Sequence, residues 1–369
     1  MIGSVERFVC GTAKVVMRDE DVRCVKEAVL EGIDWEEALR VCRLHDVEGI
    51  VYYALKENGL VDEVPTEFAE RLRERYYENA VRNIAAEKAI NVLSEAIGKK
   101  VVFVKGADLF QSLYPSTGMR PMGDVDILVE KEIAEEVWYS LLNKGFKSDE
   151  GVSIIYRSEQ HKDVCSHLPK LTTDAFTVEV HWNLFGVAVL YPVTKKAFES
   201  SVKVRDNVYV LSNEMKLIHL CNHFRRHLYQ GATLRHLCDI NELVTIHGKE
   251  INWEKVDNIV KGTALENDLK IGLTYSHILL ETGLDKKYLD ERVMNEGYLN
   301  LESLFKIKTG SAGTVFSYKI KTIPGVWNKM KYVRGIVIPP KKWVAGNYCS
   351  GVTGYLKYYG YLFEKLINT

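Results

Sequence analysis

Apolar residues return every three or four positions from about residue 19 to 98, the spacing of one helix face. Val22, Val25 and Val29 form one such stripe, and Ala38, Val41 and Cys42 another. The segment 68–97 is rich in Ala, Glu, Arg and Leu, which favour helix, and Pro65 followed by Thr and Glu gives it a start. Near residue 99 the period changes. Val101, Val102, Phe103 and Val104 make a continuous apolar run, short enough for a buried strand. A Lys-Gly step at 105–106 and a short helical stretch to 113 follow, then a loop of turn-formers at 114–123 and a second strand at 124–129. Residues 131–144 have helical spacing, whereas 152–156, 163–167 and 176–182 have strand character. Beyond residue 200 helical spacing returns. Ser212 is placed to cap a long helix with Glu214 in its first turn. A further helix is expected at 233–247, two or three more reach 280, and a last one spans 355–367. The pattern predicts an α+β protein: a helical region 1–98, a small mixed-sheet core 99–200, and a helical region 201–369 ending in a basic, aromatic tail.

A length of 369 residues exceeds one ordinary core, and 46% hydrophobic with 27% charged residues is a globular balance. There is no apolar run long enough for a membrane helix and no signal-peptide-like apolar stretch near the start, so a cytoplasmic location is expected. The seven cysteines are scattered without a C-x-x-C pair, which argues against a zinc knuckle or a disulfide framework. The net charge of −1 is uninformative as a whole but hides an asymmetry. From Thr314 onward nine Lys or Arg residues face one acidic residue, Glu364.

Candidate chemistry centres on the sequence GDVDILV at 123–129. In a strand Val125, Ile127 and Val129 face one way, while Asp124 and Asp126 share the other face, roughly 7 Å apart. Two such carboxylates can hold Mg²⁺ (or Mn²⁺) for a phosphoryl displacement. The segment TVEVHW at 177–182 alternates in the same way, with Glu179 and His181 opposite Val178 and Val180. If the two strands are neighbours, Glu179 is a third carboxylate there, either a metal ligand or a general base. Upstream, Lys105 offers a point charge to a phosphate chain, and Gly106 at a helix start offers close backbone approach. Arg120 and Gly123, in the loop before the aspartates, complete the candidate phosphate contacts, with His181 beside them. Each feature alone also reads as ordinary structure: a solvated strand face, a simple turn, an exposed loop arginine.

Taken in order, VVFVKGADLFQSLYPSTGMRPMGDVDILV and then TVEVHWNLF resemble the uncharacterised nucleotidyltransferase family related to the DNA polymerase β superfamily. The resemblance extends to Asp34-Trp35, to Leu44-His45, to the stretch from His223 to Asp239 and to Trp253, over most of residues 30 to 285. It implies transfer of a nucleoside monophosphate from an NTP, with Asp124 and Asp126 as metal ligands and Glu179 as the third acidic residue. Lys105 and Gly106 stand where the wider superfamily has Gly-Ser; a lysine cannot supply the serine hydroxyl contact to phosphate, so a nucleotide is expected to sit differently or bind more weakly. The acceptor is left open among small molecules, sugars, proteins and RNA.

His219, His223 and His227 are spaced by four and would stack on one helix face. Such a row can bind Zn²⁺ or line a nucleotide cleft, or serve packing alone. Arg235 and Asp239 read as a helix-surface ion pair. In the tail, Lys319, Lys321, Lys329, Lys331, Arg334, Lys341 and Lys342 lie among Trp327, Tyr332 and Trp343. That pattern fits nucleic acid, an anionic membrane surface, or a solvated face over an aromatic core. Two rivals to the enzyme follow: a nucleotide-binding regulatory protein without turnover, and a nucleic-acid-binding adaptor using the tail.

Overall fold

The computed structural model describes residues 3–148, 166–174, 176–228, 231–294, 316–317, 320–323, 325–338, 344 and 349–367. The chain opens with helices. α1 (Ser4–Thr12), which the apolar spacing did not single out, is followed by α2 (Asp19–Glu31), α3 (Trp35–Leu44), α4 (Glu48–Glu57) and α5 (Thr66–Ile97). The Asp34 side chain accepts a hydrogen bond from Glu37 N and so starts α3. Phe8 of α1 is fully buried, edge-on to Trp35 and Phe68 with ring centroids 5.3 and 5.8 Å away. α5 is long because it serves two cores. Its first turns bury Phe68, Ala69 and Leu72 in one, and its last turns bury Ala86, Ala89, Ile90 and Leu93 in the other. Gly98, in the left-handed conformation at φ 63°, ends it.

The mixed sheet is built from β1 (Val101–Val104), β2 (Asp124–Leu128), β3 (Lys147–Ser148), β4 (Leu171–Thr172), β5 (Thr177–His181), β6 (Val202–Arg205) and β7 (Val208–Val210), in the order β3-β4-β5-β2-β1-β7-β6. β2 runs antiparallel to β1 and parallel to β5. The alternation of side chains divides the sheet cleanly. Val101, Phe103, Val125, Ile127, Val178 and Val180 pack on one face beneath the end of α5 and α7 (Ala134–Asn143). Val102, Val104 and Leu128 join the opposite core, which also contains the N-terminal and later helices. The β6–β7 hairpin corrects the expectation that only helices follow residue 200. Its signal is in the sequence, because Val202, Val204, Val208 and Val210 alternate around a two-residue Asp206-Asn207 turn. α7 is shorter than the expected 131–144. The strand expected at 152–156, and most of that at 163–167, lie outside the described residues; His167 forms an isolated bridge with His181.

After β1, α6 (Gly106–Ser112) leads to the loop 114–123; after β5, α8 (Tyr191–Glu199) precedes the hairpin. The later helices are α9 (Asn213–His227), α10 (Leu234–His247), α11 (Trp253–Val260), α12 (Leu265–Leu280), α13 (Val326–Val337) and α14 (Val352–Ile367). Ser212 caps α9 by accepting from Met215 N, as its sequence position suggested. α6 is tied to α9 by a buried ion pair, Asp108 to Lys216 at 2.8 Å. The loop 114–123 is clamped from above by α5. Asn83 Nδ2 donates to Thr117 O at 2.6 Å and to Arg120 O at 2.7 Å. Gly49 of α4 lets that helix reach the same loop, since a Cβ there would lie 2.2 Å from Gly118 O. No helix among the described residues is long and apolar enough to cross a membrane.

Candidate active site

The register of β2 against β5 sets the site. Asp124 pairs with Thr177, Asp126 with Glu179, and Leu128 with His181. Asp126, Glu179 and His181 therefore rise from one sheet face, on the side opposite Val125, Ile127, Val178 and Val180. Asp126 is 3% exposed and Glu179 8%. His181 Nε2 lies 2.8 Å from Asp126 Oδ1 and 3.1 Å from Glu179 Oε2. One ligand atom from each of these three residues falls within 4.8 Å of the others, close enough to share a cation. Asp124, more exposed, stands at the rim. Lys170 spans the rim, with Nζ 2.9 Å from Asp124 Oδ2 and 3.0 Å from Glu179 Oε1.

Lys105 reaches the floor. Its Nζ is 2.5 Å from Asp126 Oδ1 and 3.9 Å from Glu179 Oε2. Its backbone, at φ 52° and ψ −128°, is one that a residue with a side chain rarely adopts, a strain of about 1–3 kcal/mol held at the end of β1. Burial opposes ionisation of Asp126, yet Lys105 and the His181 hydrogen bond outweigh it and hold the carboxyl below its usual range. Glu179 behaves alike: burial pushes up, and His181, His167 and Lys105 together bring it well down. Burial likewise disfavours the Lys170 ammonium, but Asp124 and Glu179 more than offset that and raise its pKa. The floor is thus a set of ionised carboxylates whose charge is compensated within the chain.

Lys105, Asp124, Asp126 and Glu179 line a cavity of about 380 Å³ together with Gly106, Arg120, Gly123, His223, His227 and His236, while Lys170 and His181 contact its carboxylates without lining it. Gly106 is small for a packing reason: a Cβ there would sit 2.9 Å from Arg120 Nη1 and 3.2 Å from Met122 Cγ. Gly123 has nothing within 4 Å of the equivalent position and faces open space. Arg120 is not an exposed loop residue. Its Nε and Nη2 donate to the two carboxylate oxygens of Asp239 at 2.7 and 2.8 Å, and Tyr114 Oη donates to Oδ1 at 2.6 Å. This corrects the expected Arg235–Asp239 surface pair. Asp239 points inward and is 2% exposed, so the buried guanidinium of Arg120 competes better for it than a neighbour along the helix. Arg235 instead turns to the cavity, 3.7 Å from Asp46 Oδ2 and 3.2 Å from Pro121 O.

The histidine row divides. His219 is buried against Phe185, with ring centroids 6.1 Å apart, and is absent from the cavity wall. His223 and His227 line the cavity, joined by His236 from α10. Asp46 and His236 line the cavity although periodicity did not single them out, Arg235 lines it although the sequence paired it with Asp239, and Lys170 reaches its carboxylates unannounced. Lys170 comes from an irregular segment, while Arg235 and His236 lie in the first turn of α10. A larger cleft of about 690 Å³ has a separate lining around Lys14, Arg18, Asp21 and Trp253. Of its acidic groups, Asp21 and Glu281 are engaged by Lys14 and Arg18, and no carboxylate–imidazole cluster of the kind at Asp126 is found there among the described residues.

The chain matches the family described as uncharacterised nucleotidyltransferase over residues 31–281, and it belongs to that family. Comparison with curated proteins and with solved structures finds no match. The matched span contains every element that lines the 380 Å³ cavity, from Asp46 to His236.

Proposed function

We propose that this member of the uncharacterised nucleotidyltransferase family moves a nucleoside monophosphate from an NTP to an acceptor hydroxyl, in the manner of the DNA polymerase β superfamily. Asp124, Asp126 and Glu179 are its metal-binding carboxylates. The observation that carries this reading is the pairing of Asp126 with Glu179 across parallel neighbours β2 and β5, with Asp124 on the same face at the mouth of one cavity. The donor set suits a hard divalent ion: carboxylate oxygens fit Mg²⁺, and the adjoining imidazole of His181 is equally acceptable to Mn²⁺. When bound, such an ion neutralises charge on the triphosphate and on the departing pyrophosphate.

The remaining work falls to side chains of the chain. Lys105 and Lys170 carry ammonium groups at the carboxylates and can exchange those partners for phosphate oxygens. Arg235, whose Nε is buried without a hydrogen-bond partner among the described residues, is a further cation, lining the same cavity as Lys105. The acceptor oxygen attacks the α-phosphorus, the bond to the bridging oxygen of the pyrophosphate breaks, and the hydroxyl proton leaves to solvent or a basic group. In the proposed division, the helical regions 1–98 and 201–369 wall the cleft over the core 99–200 and choose the acceptor. His223 and His227 stand on that wall.

Melting curves with ATP, GTP, CTP and UTP, each with and without Mg²⁺ or Mn²⁺, test the reading together with pyrophosphate release. A nucleotide at 100 times its Kd adds about 2.7 kcal/mol of stability. Asp126→Asn should lower transfer by at least about 100-fold, the loss of several kcal/mol of charge stabilisation, while its circular dichroism stays that of the wild type. Full activity in this variant would sink the assignment. A metal-dependent nucleotide shift without pyrophosphate release favours the regulatory rival, in which the Lys-Gly step at 105–106 binds phosphates without turnover.

A further inference from the structure

The cavity wall opposite the carboxylates carries its own cluster. His223 and His227 are one turn apart on α9, and His236 comes from the first turn of α10. One ring nitrogen from each lies within 4.8 Å of the other two. Their rings lie close together: centroids are 4.4 Å apart for His223 and His227, 5.2 Å for His223 and His236, and 4.8 Å for His227 and His236, with ring planes 27–39° apart. Three imidazoles at such a spacing need only small side-chain shifts to reach the ~3.4 Å between nitrogens around a tetrahedral ion with metal–nitrogen bonds near 2.1 Å. We propose that His223, His227 and His236 form a second metal site, specific for a nitrogen-preferring transition-metal ion and best suited to Zn²⁺.

Several observations support this beyond proximity. A hard ion such as Mg²⁺ prefers oxygen, so an all-imidazole set selects against the ion proposed for the carboxylates. His236 is also oriented from behind. Its Nδ1 lies 3.0 Å from Thr233 Oγ1, 3.2 Å from Thr233 N and 3.3 Å from Thr233 O. Thr233 N donates to that nitrogen in a capping box, with Thr233 Oγ1 and O at the same edge, so the ring is held in place from behind. Lys105 and Arg235 oppose a further cation in the cavity, while Asp46, Asp124, Asp126 and Glu179 on its lining offset them. Three protein imidazoles leave a fourth tetrahedral position, which opens onto the cavity. The inference is independent of nucleotide turnover, because it concerns only which ion these residues hold.

The test uses full-length, untagged, metal-stripped protein. Zn²⁺ is titrated against a chromophoric chelator in the wild type, His227→Ala, His236→Ala and Asp126→Asn. Wild type and Asp126→Asn should bind one equivalent with equal affinity, while each histidine variant loses at least about 100-fold. Excess Mg²⁺ should not displace the ion. Binding that survives in His227→Ala but vanishes in Asp126→Asn assigns the ion to Asp126, Glu179 and His181 and overturns the proposal. So does zinc binding by the wild type that is no tighter than by the histidine variants. Circular dichroism checks that the variants fold. Should they not, the Co²⁺-loaded wild type decides: the intense visible bands of a four-coordinate site with nitrogen ligands are expected. A weak six-coordinate spectrum, or a thiolate-to-cobalt band from exposed Cys24, would defeat the assignment.

Discussion

At position 242 of α10 a carboxylate is buried with no salt-bridge partner within 4 Å among the described residues. Glu242 Oε1 accepts from Val15 N at 3.0 Å and from Asn241 Nδ2 at 2.9 Å, whereas Oε2 has no hydrogen-bond partner among the described residues. Burial dominates and pushes its pKa up to about 7 from the ordinary 4.5. The folded state then binds more protons than the unfolded chain between those values, so this group costs stability as pH rises from about 4.5 through 7 and holds that cost above. Glu242→Gln mimics the protonated form. Its melting temperature should equal that of the wild type near pH 4.5 and exceed it by an amount equivalent to roughly 3 kcal/mol at pH 8. A constant difference across that range would show that Glu242 titrates normally. Residue identity alone did not reveal this, since nothing in the sequence around Glu242 distinguishes a buried carboxylate from one on a helix surface.

Among elements, the loop 114–123 shows how a flexible-looking segment becomes the rigid wall of a site. Its Pro, Ser, Thr and Gly residues read as a turn, and they are one. Yet Asn83 of α5 holds its carbonyls, and Asp239 of α10 holds both Tyr114 and Arg120. Asp239 therefore supports the segment leading to Asp124 from the far side of the cavity. Asp239→Asn leaves the Arg120 guanidinium buried and uncompensated, and a cost of about 3–5 kcal/mol is expected. Urea unfolding should show a lower midpoint with an unchanged slope. A cost below 1 kcal/mol would mean that Arg120 finds another anion. The alternating strands β2 and β5 were legible because a period of two and the need to bury Val125, Ile127, Val178 and Val180 leave one choice of face. The pairing of Arg120 with Asp239 was not, because it joins residues 119 positions apart.

Over the whole molecule, charge is divided along the chain. The first 313 residues carry 40 Lys or Arg against 49 Asp or Glu, and the tail reverses the sign. Lys331 and Arg334 on α13 and Lys357 on α14 are exposed, and Trp327 beside them is 79% exposed, while Tyr332 and Tyr358 turn inward. Lys319, Lys341, Lys342 and Trp343 lie outside the described residues. Such a patch concentrates polyanions even on a protein of net charge −1. Replacing Lys331, Arg334 and Lys357 by Glu should abolish salt-sensitive retention on heparin and leave the metal-dependent nucleotide shift intact, since all groups lining the cavity precede residue 237. Loss of the nucleotide shift would place the tail at the cleft and count against this separation.

What the sequence determined was local and periodic. Helical spacing and composition located α2, α3, α5, α7, α9 to α12 and α14 but not α8 or α13; a continuous apolar run located β1, alternation located β2 and β5, and GDVDILV with TVEVHW marked the acidic face. These follow from geometry that repeats within a few residues, so a single chain can display them. The tertiary structure decided which distant groups share a cavity. It joined His236 rather than His219 to His223 and His227, drew Lys170 onto the carboxylates, turned Arg235 inward and took Asp239 for Arg120. The physical reason is that buried charges and polar rings settle wherever the packed core leaves a partner of the right kind. That depends on how helices and sheet dock, not on their spacing along the chain.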